Sequence, residues 1–167
     1  MDAKEDMIGI TTTTTSKAMS PWGSKERIAT NSPIAYAFPT KTHQTVVLDM
    51  ATSVFANGKV RLAQERNIPL PDSMAVDVQG NITTDPFKVT SALSFGTYKG
   101  SGLSMAFAIL AGLLGGAPFV GYSTHRLRPD GPFAAEVGHL LVAVDISNFT
   151  DVEEFKANLD GVITTWK

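Results

Sequence analysis

Two stretches of the chain combine residue types able to hold a charged small molecule. In Val46-Val47-Leu48-Asp49-Met50-Ala51-Thr52-Ser53 an apolar run ends at an acid and gives way to small residues. A helix starting there presents unpaired N–H groups with partial positive charge. Such a spot holds a phosphate or a sugar hydroxyl. Asp49 either accepts a hydrogen bond from a sugar or simply caps that helix, and spacing alone favours the cap. In Tyr98-Lys99-Gly100-Ser101-Gly102-Leu103 two glycines let a ligand approach the backbone, beside a lysine that can neutralise a phosphate or carboxylate. The competing reading is a tight turn ahead of a buried helix. Neither stretch is a P-loop or a Rossmann fingerprint, because Gly-x-x-x-x-Gly-Lys-Ser/Thr and Gly-x-Gly-x-x-Gly are missing.

The remaining candidates are weaker. Asp77-Val78-Gln79-Gly80-Asn81 begins like a calcium loop, but the later bidentate acid is missing, and a β-turn is the better reading. His43, His125 and His139 are scattered, without metal-ligand spacing. His139 opens an apolar strand and reads as structural; His43 and His125 fall in polar loops. Arg126 and Arg128 could hold an anion, with a solvated loop the stronger alternative.

The elements that must position these residues follow from periodicity. Met7 to Thr13, Pro33 to Phe38 and Thr45 to Leu48 read as strands. His139 to Asp145 reads as the clearest buried strand. Met50 to Glu65 has helical spacing, with Val54, Leu62, Phe55 and Ala63 on neighbouring stripes. Ala75 to Val78 and Ile82-Thr83 read as a short hairpin. Ser20-Pro21-Trp22-Gly23-Ser24 reads as a turn-rich loop. An apolar helix is expected over Ser101 to Leu114. A last helix opens with a capping box, Thr150 and Glu153, and carries the stripe Val152, Phe155, Leu159 and Val162. Several strands follow one another directly. This predicts an α+β domain with a mixed, largely antiparallel sheet and covering helices, not a doubly wound parallel one.

Composition bounds the function. The chain has 167 residues, 14 Lys and Arg against 16 Asp and Glu, and no cysteine. The length suits a single domain. A net charge of −2 argues against nucleic-acid binding. Without cysteine there is no disulfide scaffold, Cys-ligated zinc or Cys nucleophile. Charged residues make up only 18%, a hint that some surface is covered by a partner or another domain. The charged start Met1-Asp2-Ala3-Lys4-Glu5-Asp6 is unlike a signal peptide. Gly100 to Thr124 lacks charge, but its glycines and Pro118 break it into a core helix too short for a membrane span. The Asn148-Phe149-Thr150 sequon reads as chance, and a cytoplasmic protein is expected.

Taken in order, these stretches resemble the type II malate/L-lactate dehydrogenase family, which includes ureidoglycolate, sulfolactate and diketogulonate-type oxidoreductases. The resemblance is carried by Met7-Ile8-Gly9-Ile10, Pro21-Trp22-Gly23, Ala29-Thr30-Asn31-Ser32-Pro33-Ile34-Ala35, and Asp49-Met50-Ala51-Thr52-Ser53 followed by Gly58-Lys59-Val60. It continues through Ala75-Val76-Asp77, Gly80, Thr83-Thr84-Asp85-Pro86, Lys99-Gly100-Ser101-Gly102-Leu103 and Gly138-His139, so it covers nearly the whole chain. The set is specific; no single member is.

The resemblance implies NAD- or NADP-dependent interconversion of 2-oxo and 2-hydroxy acids, a cofactor domain that is not Rossmann-like, and a homodimer. Asp49, Met50 and Ala51 resemble the family's cofactor-contacting strand end. Lys99 and Gly100 resemble its second contact. Thr15, next to Ser16, falls where the family has a small hydroxyl residue touching the cofactor. Ser24 replaces a second glycine, Ser32 is an extra residue before Pro33, and Ser101 stands where the family has tyrosine. The family's catalytic histidine and carboxylate-binding arginine have no counterpart here, and a C-terminal family segment is expected to be missing too. No catalytic residue is therefore assigned. The expectation is a cofactor-binding domain associated with itself or with a missing substrate domain. The alternative is a non-catalytic dinucleotide-binding or oligomerisation module.

Overall fold

The computed structural model describes residues 6–14, 17–116 and 137–166. Thr15, Ser16, His125, Arg126 and Arg128 lie outside them. Among the described residues, six strands and three α-helices follow in the order β1 (Met7–Thr13), β2 (Ile34–Phe38), β3 (Val46–Met50), α1 (Asn57–Arg66), β4 (Ala75–Val76), β5 (Ser91–Ala92), α2 (Tyr98–Ala111), β6 (His139–Asp145) and α3 (Val152–Trp166). The larger sheet has the order β3-β2-β1-β6, with every neighbouring pair antiparallel. A two-stranded antiparallel sheet, β4-β5, stands beside it. The architecture is the expected mixed α+β with an antiparallel sheet, and it is not the parallel Rossmann arrangement.

Strand alternation delivers the register. Leu48, Tyr36, Ile10 and Val142 lie opposite one another in one row across the large sheet. Tyr36 and Phe38, two residues apart on β2, stack with ring centroids 6.0 Å apart. The main buried cluster is elsewhere: Met19, Phe55, Ala63, Leu70, Ala75 and Ala92, with Val54, Val60, Met74 and Val89 packed around it. This cluster fixes α1 and the small sheet against the segment that follows β3.

Several expectations are corrected. The helix expected from Met50 begins only at Asn57, because Met50 belongs to β3 and residues 51–56 form a bent, non-helical connection. Of its predicted stripes, Phe55 and Ala63 are buried but Leu62 is 43% exposed. Ala75-Val76 pairs with Ser91-Ala92, a distant partner, and also keeps the expected hairpin: Val76 bridges Ile82, the Asp77 N–H donates to the Asn81 carbonyl at 2.9 Å and the Thr83 N–H to the Ala75 carbonyl at 3.0 Å. Strand β6 is not buried: it alternates exposed and half-exposed residues, and pairs on one side only, with β1. The cap of α3 is Asp151, whose carboxylate accepts the Glu154 N–H at 2.8 Å, one position beyond the expected Thr150 and Glu153. No residue of α3 is fully buried. Among the described residues no helix is long and apolar enough to cross a membrane.

Candidate functional site

The two chemistry-bearing stretches meet. Beyond β3 the chain runs alongside residues 93–95, which lead into α2. Ser53 and Ser94 form an antiparallel bridge. The Val54 N–H donates to the Leu93 carbonyl at 3.0 Å, and the Phe95 N–H donates to the Thr52 carbonyl at 3.0 Å. On the other side the Thr52 N–H donates to the Asn31 carbonyl at 2.9 Å. The Ser104 hydroxyl of α2 donates to the Thr30 carbonyl at 2.5 Å, so the Ala29-to-Pro33 segment is stitched into the same corner. The first turn of α2 therefore sits directly against the end of β3 and the residues just after it.

Gly100 makes that packing possible. A Cβ at this position would lie 2.3 Å from the Phe95 carbonyl oxygen and 3.0 Å from that of Thr52. Both atoms are backbone and cannot swing away, so the position excludes every side chain. The two glycines of this stretch read from sequence as a turn before the helix. Instead Lys99 and Gly100 lie inside its first turn, and the helix starts at Tyr98.

Electrostatics divide the roles differently from a simple helix-terminus site. The Lys99 N–H donates to the Gly96 carbonyl at 3.2 Å and the Gly100 N–H to the Phe95 carbonyl at 3.0 Å. Two amides that an anion would need are thus already engaged. What remains positive is the helix dipole and the Lys99 ammonium. No acid lies in the first turn, and Lys99 is exposed with no ion pair among the described residues. Thr97 at the N-cap holds φ 61° without a side-chain cap. That left-handed conformation costs a non-glycine residue on the order of 1–3 kcal/mol, and such strain collects at ligand sites.

Asp49 does not cap a helix. The N-cap of α1 is Ala56, seven positions on, without a side-chain cap. Asp49 pairs with Ala35 inside β3, an edge strand, and its carboxylate is exposed. The cap reading is therefore replaced by a free acceptor at a sheet edge. Met50 and Ala51 continue the same extended chain, half-buried, into fully buried Thr52. They carry no helix dipole, so the anion-binding argument made for this end from sequence does not hold. The Thr52 hydroxyl is buried with no hydrogen-bond partner among the described residues, as is that of Ser20.

Sequence reasoning passed over Ser94 and did not join Trp22 to Ser101. The Ser101 hydroxyl accepts the Trp22 N–H at 2.7 Å and donates to the Ser94 hydroxyl at 3.0 Å. Ser94 in turn donates to the Thr97 carbonyl at 2.6 Å. Their separation of 79 residues gives no local signal. Two of the three histidines fall among the described residues. His43 lies in the β2–β3 connection and His139 opens β6 opposite Thr13, and no hydrogen bond among the described residues joins either to the corner. No group of three His, Cys, Asp or Glu that could hold a metal ion occurs among the described residues. Asp77 uses its carboxylate on the Gln79 and Asn81 N–H groups, each at 2.9 Å, which closes a turn.

Comparison with known proteins gives a consistent answer. The family model for malate/L-lactate dehydrogenases matches residues 1–167. The malate/(S)-sulfolactate dehydrogenase of Methanothermus fervidus is 41% identical over 165 residues, which is 98% of this chain and 48% of that protein. The (2R)-3-sulfolactate dehydrogenase (NADP(+)) of Chromohalobacter salexigens is 34% identical over 89% of this chain and 45% of its own length. The solved sulfolactate dehydrogenase of Methanocaldococcus jannaschii superposes with a TM-score of 0.84 at 38% identity, over 96% of this chain and 46% of that one. The chain thus spans about half the length of the curated relatives it matches.

Proposed function

The chain belongs to the malate/L-lactate dehydrogenase family, and on that premise we propose that it supplies the cofactor-binding part of an NAD- or NADP-dependent oxidoreductase. The reaction transfers hydride between the nicotinamide and a 2-oxo or 2-hydroxy acid. The whole chain acts as one cofactor-binding domain, in the cytoplasm, as a homodimer or associated with a substrate domain.

The observation that supports this most is the meeting of the β3 end with the first turn of α2. An exposed acceptor and a cation with no ion pair among the described residues flank one corner, a set suited to a ribose hydroxyl and a pyrophosphate. In this reading Asp49 accepts from the ribose, Met50 and Ala51 line the strand end, and Lys99 neutralises the pyrophosphate as a point charge. Gly100 keeps the two corners in contact. Thr15 joins them on resemblance alone. The dinucleotide, once bound, carries the hydride chemistry; the protein orients it and excludes water.

Reduction of a 2-oxo acid also needs a proton donor at the carbonyl and a cation at the carboxylate. Neither His43 nor His139 is hydrogen-bonded to the corner among the described residues, which favours a second reading for the chain by itself: it binds dinucleotide without turning substrate over. Calorimetric titration with NADH and NADPH, followed by turnover assays with a panel of 2-oxo acids, separates the two. Binding with turnover supports the enzyme reading, and binding without turnover supports the module. Absence of any binding contradicts both. Lys99→Ala is expected to weaken binding about ten-fold, the scale of one charge-assisted contact.

A further inference from the structure

Trp22 is 60% exposed, yet its backbone is fixed on every side. The Ser24 N–H donates to the Pro21 carbonyl at 3.0 Å and closes a turn, with Gly23 at φ +81° supplying the left-handed third position. Before the turn, Met19 and Ser20 are completely buried, and the Ser20 N–H donates to the Ala92 carbonyl at 3.2 Å. At the turn, the Trp22 N–H is held by Ser101 in the first turns of α2. Tyr98, one helical turn before Ser101 on the same side of α2, is 62% exposed. The two rings do not stack on each other, since Tyr36 and Phe38 are the stacked pair among the described residues. Two large aromatic side chains are thus left open to solvent beside Lys99, one of them on a loop with almost no freedom. With the backbone of that loop tied down, covering the Trp22 indole with a planar group orders one side chain and little main chain.

We propose that Trp22 is a ligand-binding residue whose indole stacks on a planar ring of the dinucleotide held at this corner. The proposal rests on the dinucleotide reading above and adds a residue to it. The ring is a nitrogen heteroaromatic, either the adenine or the nicotinamide. The Ser101 hydroxyl, which accepts the Trp22 backbone N–H at 2.7 Å, holds the loop that carries the indole.

The chain has two tryptophans, and the other, Trp166, is 87% exposed at the end of α3. A Trp166→Phe variant of the full chain therefore reports on Trp22 alone. NADH titrated into it is expected to quench the emission with the same Kd that calorimetry gives. Trp22→Ala is expected to weaken binding about ten-fold or more, the range found for base–aromatic stacking, and Trp22→Phe to recover much of the loss. Parallel titrations with AMP and with reduced nicotinamide mononucleotide identify the ring, and quenching by either supports the proposal. Calorimetric binding with the affinity of Trp22→Ala unchanged overturns it, whatever the emission does, while leaving the dinucleotide reading intact. Emission that depends on protein concentration without NADH also overturns it, because a second copy then covers the ring. No calorimetric binding to the wild-type chain overturns both.

Discussion

Lys99 and Asp49 are exposed, while Gly100 is buried between two carbonyls, and each asks for a different experiment. Gly100→Ala pushes a methyl into backbone that cannot yield. It is expected to destabilise the fold by roughly 1–3 kcal/mol or more, as over-packing does, read as a lower denaturant midpoint. Asp49→Asn removes a charge from an open sheet edge. It is expected to leave the melting temperature within experimental scatter while weakening dinucleotide binding several-fold by calorimetry. A large loss of stability in Asp49→Asn would show that the carboxylate serves the fold instead. At this scale the sequence was informative about residue type and silent about context. Asp49 read as a helix cap because small residues follow it. Those residues are in fact spent on non-local hydrogen bonds to Asn31, Leu93 and Phe95.

At the level of elements, polar contacts tie α3 to the β2–β3 connection and to Asp6 just before β1. The Asp160 carboxylate accepts the Thr42 hydroxyl at 2.6 Å, the Thr42 N–H at 2.8 Å and the Lys41 N–H at 3.2 Å, all from the β2–β3 connection. Lys156 pairs with Asp6 and Glu153, and Lys41 with Glu153 at 3.1 Å. The Thr42 hydroxyl, with the two N–H groups and the His43 charge behind it, holds the Asp160 pKa below its ordinary value of 3.8 against a desolvation that raises it. A lowered folded pKa contributes stability that is present above the ordinary carboxylate value and is lost as pH falls through the lowered one. Asp160→Asn is therefore expected to lower the melting temperature at neutral pH. The deficit should shrink toward zero as pH drops well below 4. A deficit independent of pH would mean that packing, not charge, holds α3. The element types were largely legible: β1 and β6 begin and end where their β-branched and apolar runs do. The two helix starts were not. Gly100 and Gly102 resemble a turn locally, and only the Phe95 and Thr52 carbonyls packed against Gly100 explain a glycine inside a helix.

Over the whole molecule, apolar surface is distributed unevenly. The buried cluster lies under α1 and the small sheet, whereas Val47, Leu141, Met105, Ile109 and Leu113 remain substantially exposed. With only 18% charged residues, this surface suits the association we propose. Sedimentation at micromolar concentration is expected to give a dimer, or an assembly with a substrate domain when one is supplied; a monomer under both conditions contradicts it. The antiparallel sheet followed from strands arriving in succession. The pairing of Ala75-Val76 with Ser91-Ala92 did not, because two-residue strands carry almost no periodic signal. The central claim is that the β3 end and the first turn of α2 hold one dinucleotide between them. Amide hydrogen exchange of the full chain with and without saturating NADH tests it most directly. Slowed exchange is expected in both residues 49–54 and residues 97–101; protection of one stretch without the other, or of neither, would contradict it.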